Sequence, residues 1–215
     1  MKTCELLKKS SIAKKQVVAL TGLALVGFLF THLAGNFLMF KGAEAFDGYA
    51  EFLEHHPLII PAEIGLAAFF LVHIVTGLKV FMENRAARPE RYEVEASTTG
   101  LPYAARWMGY SGSLTLLFLA VHITTFKFMG PEGEGESLFS WVMFCFKNPI
   151  YSLFYVGTMV FLAIHLAHGI KSAFQTLGVN HPRLDPLIEK GGVAVALALT
   201  AGFASLPIWA LTRGG

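Results

Sequence analysis

The chain has 215 residues, 54% of them hydrophobic and only 15% charged, where soluble domains carry about 25% charged residues. Its mean hydropathy of +0.54, net charge of +2 and two cysteines exclude a disordered chain, a collagen-like fibre, a disulfide-stapled secreted module and a nucleic-acid binder. A single membrane domain over residues 1–215 remains.

A helix needs roughly 20 apolar residues to cross about 30 Å of hydrocarbon. The first such run, residues 17–40, carries no charge and is flanked by Lys14, Lys15 and Lys41. It is too long, and too poor in a small-residue cleavage site, to be a signal peptide. Residues 59–78 follow, with one acid, Glu63, and then 107–126, 150–170 and 191–211. Strand crossings would need only about ten residues of alternating polarity. The expectation is an all-α integral membrane protein with five transmembrane helices, joined by loops.

Basic residues orient such a bundle. The N-terminal segment, the second loop and the fourth loop hold five, five and three of them; the other side has four, Lys41, Lys127, Lys147 and Arg213. The richer side is expected to be cytoplasmic. That places the N-terminus inside and the C-terminus outside a bacterial cytoplasmic (inner) membrane, with the acidic loops (Glu44, Asp47, Glu51, Glu54; Glu132, Glu134, Glu136) outside.

His32, His73, His122 and His165 fall one in each of the first four runs, fifteen or sixteen residues from its start. A polar ring inside a bilayer is costly and points to function. Successive helices run in opposite directions, so His32 and His122 share an outer level and His73 and His165 an inner one. At about 1.5 Å per residue the levels are roughly 15 Å apart. Facing imidazoles at two depths suit two bis-histidine haems in a four-helix bundle. Without a Cys-x-x-Cys-His attachment motif these would be haem b. A zinc or non-haem iron site would need its ligands to converge at one level. Gly35, Gly77 and Gly169 stand one turn from histidines, where a macrocycle needs room, although membrane helices also use glycine for plain packing.

His168 competes with His165. The stretch from His73 to Lys79 aligns with that from His165 to Lys171, and in that register His165 replaces His73 while His168 replaces Thr76. This favours His165 as the ligand and leaves His168 to hydrogen-bond a propionate or to pack. His55, His56 and His181 read as loop residues.

These residues, together with His32-Leu-Ala-Gly-Asn36, EAFDGYAEFL at 44–53, NRAARP at 84–89 with Tyr92, Arg106-Trp-Met-Gly109 and HLAHGIKSAFQTLG at 165–178, carry a resemblance over essentially the whole chain. It resembles the cytochrome b membrane-anchor subunit of succinate dehydrogenase/fumarate reductase (succinate:quinone oxidoreductase), in its single-subunit, five-helix, di-haem type. The resemblance implies that His73 and His165 hold the haem nearer the cytoplasm and that His32 and His122 hold the distal one. It also implies two partners, a flavoprotein with covalent FAD and an iron–sulfur protein with three clusters, and electron exchange with menaquinone. The chain lacks a dinucleotide fingerprint, a P-loop and a cysteine cluster, which agrees with dicarboxylate chemistry residing on those partners.

Arg85, Arg88 and Arg106 lie at the cytoplasmic boundary of the second and third runs, suited to haem propionates or a partner's acidic patch; contact with lipid headgroups is their plainer role. The basic segment 79–106 is the candidate docking surface. Glu63, near the outer face, could pass protons to a quinone whose reduction takes up two, as a glutamate near the start of the second helix does in the resembled family. Glu51 or Glu54 could serve instead, and a plain interfacial acid is the simpler alternative. Cys4 and Cys145 are given no role, and the fifth run reads as packing. Two other functions fit the same residues: a di-haem anchor of another dehydrogenase, such as hydrogenase or formate dehydrogenase, and a haem-free anchor or transporter with proton-relay histidines.

Overall fold

The computed structural model describes residues 10–87, 102–131 and 137–213, with backbone alone for 102–106. Helix α1, Ser11–Asn36, continues through a 3₁₀ turn, Phe37–Lys41. Then come α2, Ala43–Glu54, α3, Ile59–Ala86, and α4, Pro102–Ile123, which runs on as a π-helical turn, Thr124–Phe128. Last are α5, Leu138–Lys147, α6, Pro149–Thr176, and α7, Asp185–Thr212. No strand occurs among the described residues. Five helices (α1, α3, α4, α6 and α7) are long and apolar enough to cross a membrane. Helices suit that medium because each satisfies its own backbone polar groups.

Local chemistry sets the boundaries. The Ser10 side chain accepts from Ala13 N at the start of α1. Asn148 Oδ1 accepts from Ile150 N and Tyr151 N at 3.0 and 3.3 Å, and Pro149, which has no N–H to satisfy, opens α6. At the other end of α6, Gly178 adopts φ +91°, the left-handed conformation that lets Val179 N reach back to Phe174 O at 3.0 Å. The spanning helices outrun the apolar runs that announce them. Polar residues such as Glu83 and Arg85 continue α3 beyond the expected end at residue 78, since a helix does not stop where hydrocarbon does.

Two segments expected as loops are helices. Asp47 on α2 fixes α5: its Oδ2 accepts from Ser137 Oγ at 2.7 Å and its Oδ1 from Phe139 N at 2.8 Å. Cys145, near the outer end of the fourth spanning helix, sits on α5 as a free thiol, and partial burial raises its pKa. Cys4 lies outside the described residues.

The spanning helices pack closely as α6/α7, α4/α6, α1/α3, α1/α6 and α1/α7. The core fills two clusters. Leu33, Met159, Leu162, Leu166, Ile170, Ala196 and Leu199 join α1, α6 and α7. Met39, Phe46, Val142, Phe146, Tyr155, Leu206 and Ala210 seal the end that carries α2 and α5. The four histidine-bearing helices therefore stand in the order α3, α1, α6, α4, with α1/α4 and α3/α6 as diagonals. The remaining edge, between α4 and α3, closes where the Phe81 ring lies over Gly109 and where Lys127 Nζ meets Glu63 Oε1 at 2.6 Å. Two more ion pairs tie helix ends: Lys14 with Glu83 at 2.5 Å, and Lys171 with Glu189 at 2.6 Å.

Candidate functional site

Both diagonals are bridged by histidine rings. His32 on α1 and His122 on α4 lie with ring centroids 5.8 Å apart and planes at 87°. His73 on α3 and His165 on α6 lie 6.3 Å apart at 79°. Each pair thus joins helices that do not pack closely against one another.

The depth of each pair can be read from its neighbours. A methyl group at Gly22 on α1 would stand 3.0 Å from His73 Cε1, and one at Gly112 on α4 would stand 3.2 Å from His165 Cε1. Gly22 and Gly112 are each ten residues before a member of the other pair, His32 and His122. Ten residues of helix rise about 15 Å, so the pairs occupy two levels at the spacing expected.

These glycines, rather than those beside the histidines in sequence, adjoin the rings. Gly35 faces the Tyr49 ring of α2, Gly169 faces Met108 Cε at 3.6 Å, and a Cβ on Gly77 would meet nothing within 4 Å. Gly35 and Gly169 thus each admit a neighbouring side chain, while Gly77 faces open space. A signal for the right glycines was present in the sequence. Thr21-Gly22, Phe28 and His32 on α1 recur as Ser111-Gly112, Phe118 and His122 on α4, with identical spacing. Phe28 stacks on His32 (5.2 Å, 20°) and Phe118 on His122 (5.6 Å, 27°), each four residues before its histidine on the same helix face.

Polar partners differ from ring to ring. His73 Nδ1 is 3.2 Å from Thr21 Oγ1, whose own proton goes to Val17 O at 2.7 Å. With its proton engaged by the backbone, the Thr21 oxygen is free to accept from Nδ1, an arrangement that would leave the Nε2 lone pair available. His122 Nδ1 is 3.3 Å from the Tyr155 hydroxyl, which is 3.0 Å from the Tyr151 hydroxyl; that in turn is 2.9 Å from Thr125 Oγ1 in the π-helical turn. Asn36 Nδ2 donates to His32 O at 2.8 Å and lies 3.4 Å from the His32 ring nitrogen Nε2. His165 Nδ1 is buried and has no partner among the described residues.

His168 lies one turn beyond His165 and is half-buried; the ring facing His73 is that of His165. Arg85 is exposed in the last turn of α3. Arg88 and the Arg106 side chain lie outside the described residues. Glu63 is half-exposed and paired with Lys127, while Glu51 and Glu54 are exposed on α2.

Among the described residues no three His, Cys, Asp or Glu side chains gather as a metal cluster; the histidines meet in twos. Two nitrogen donors per level suit a group that brings its own equatorial ligands and takes two axial ones, as a bis-imidazole haem does. The centroid spacing fits as well. Two metal–nitrogen bonds of about 2 Å, plus the two ring radii, come to about 6 Å. The paired ring nitrogens, with glycines against both inner rings, make a site that fits haem.

Fold and site define an all-helical integral membrane protein with paired intramembrane histidines at two levels. The chain is similar to the succinate dehydrogenase cytochrome b558 subunit of Bacillus subtilis (strain 168), with 24% identity over 172 residues, covering 77% of this chain and 80% of that subunit. That similarity supports the resemblance to the cytochrome b anchor of succinate dehydrogenase that the motifs carry. No family model matches the chain. No solved structure matches it.

Proposed function

We propose that the chain is the haem b membrane anchor of a succinate dehydrogenase/fumarate reductase complex, joining cytoplasmic iron–sulfur and flavoprotein subunits to menaquinone in the membrane. The observation that carries this reading is the meeting of four histidines in two pairs, each across a diagonal of the bundle and at its own depth. His73 and His165 would hold the inner haem, and His32 and His122 the outer. When bound, these groups would supply one-electron carriage along the membrane normal. The chain's own residues orient and insulate. Thr21 sets the His73 tautomer, Phe28 and Phe118 fix ring planes, and the apolar helix faces keep water out.

With the N-terminus inside, the Lys14–Glu83 and Lys171–Glu189 ends face the cytoplasm. There Arg85, Arg88 and Arg106 belong to the segment that would receive the iron–sulfur partner, and Arg85, Arg106 and His168 would be the contacts for inner propionates. The opposite end, with α2, α5 and the Glu63–Lys127 pair, would face outward. Glu63 is the proposed proton carrier for menaquinone. Lys127 Nζ, 2.6 Å from its Oε1, positions the carboxylate there.

The test is a dithionite-reduced minus oxidised spectrum of the purified complex, with a pyridine haemochrome count. Two b haems per chain are expected, together with a co-purifying flavoprotein that bears covalent FAD. No haem in protein made with adequate haem supply would sink the reading. For Glu63→Gln, quinone-linked turnover should fall by about 10²-fold with both haems assembled; unchanged turnover would remove Glu63 from the pathway.

A further inference from the structure

We infer that Thr21 and Ser111 are matched positioning residues: each hydroxyl accepts the Nδ1–H of one inner histidine, Thr21 that of His73 and Ser111 that of His165, and so turns Nε2 toward the iron. The inference rests on the haem reading above. Three observations carry it. For Thr21 the bond exists, 3.2 Å from oxygen to nitrogen, with the hydroxyl proton already engaged by Val17 O. Ser111 occupies the same place in the repeated pattern, one residue before the glycine that adjoins the ring. It is as deeply placed as its counterpart, 1% exposed against 7% for Thr21.

The third observation is the need. His165 Nδ1 is a buried polar atom without a partner among the described residues, and it lies beside Gly112, adjacent to Ser111 in the chain. Ser111 Oγ donates to Met108 O at 3.2 Å, so its lone pairs remain to accept. Ligating histidines commonly donate their second ring N–H to such an outer partner, which fixes the tautomer and raises ligand basicity. Here one helix pair, α1 and α4, supplies both hydroxyls to ligands on the other pair, α3 and α6.

The experiment is a spectroelectrochemical titration of both haems in the purified complex carrying Thr21→Val or Ser111→Ala. Loss of the acceptor makes the ring a poorer donor and favours ferrous iron. The expected result is a rise of the inner midpoint by about 59 mV, a tenfold change in the ferric/ferrous equilibrium for one electron, with the outer midpoint unmoved. Thr21→Ser, which keeps the hydroxyl, should titrate like the parent. Should Thr21→Val lose the inner haem, Thr21→Ser decides: haem held at the parent midpoint supports the inference, and loss in both overturns it. An inner midpoint unmoved in both variants, or equal movement of both haems, also overturns it. A shift in Thr21→Val alone overturns the assignment of Ser111. A parent complex without two b haems would instead fail the underlying reading.

Discussion

Gly112 shows how little space the inner level leaves. A branched side chain there would press into the His165 ring, since the first methyl alone comes within 3.2 Å of Cε1, and on α1 Gly22 stands in the same relation to His73. Gly112→Val and Gly22→Val should therefore displace an inner ligand while sparing the outer pair, and the pyridine haemochrome count should fall from two per chain to one. A count that stays at two would mean the rings move aside without consequence. The histidines themselves were legible in the sequence, because a polar ring in an uncharged run stands out and its depth follows from helical rise. Their glycine neighbours were not found by proximity in sequence. In a chain with 21 glycines only a repeated spacing distinguishes them, and the repeat relates α1 to α4, whereas the visible alignment relates α3 to α6.

Among elements, the spanning helices were legible as apolar runs and the short ones were not. Helices α2 and α5 gain their order from each other through Asp47 and from the core cluster around Phe46 and Phe146, contacts that no local window contains. The polar ends of the long helices likewise take their order from distant partners. Lys171, which read only as an orienting charge, is 8% exposed and bonded to Glu189, 23% exposed, where α6 meets α7. Removing one partner strands the other in a poorly solvated place, while replacing both with apolar residues costs less. Lys171→Met should destabilise the protein by about 1–3 kcal/mol, read as a lowered thermal midpoint in detergent, and Lys171→Met with Glu189→Leu should recover much of it. A single variant as stable as the parent would show that the pair contributes nothing.

For the whole molecule, five crossings follow from composition and hydropathy, but which helices stand diagonal to one another does not. That order depends on α1 packing against both α3 and α6, and on a core gathered around α6 and α7. It also has a consequence in time. Each histidine pair joins an early helix to a late one: His32 waits for His122, and His73 for His165. A ribosome adding about 5–20 residues per second completes the outer pair first, and the inner pair follows roughly 2–9 s later. Throughout that interval the newborn chain has three crossings made and two still to come. The inner pair thus closes only once the fourth spanning helix has been made, so on the proposed reading its cofactor would be loaded after the outer ligands have already met.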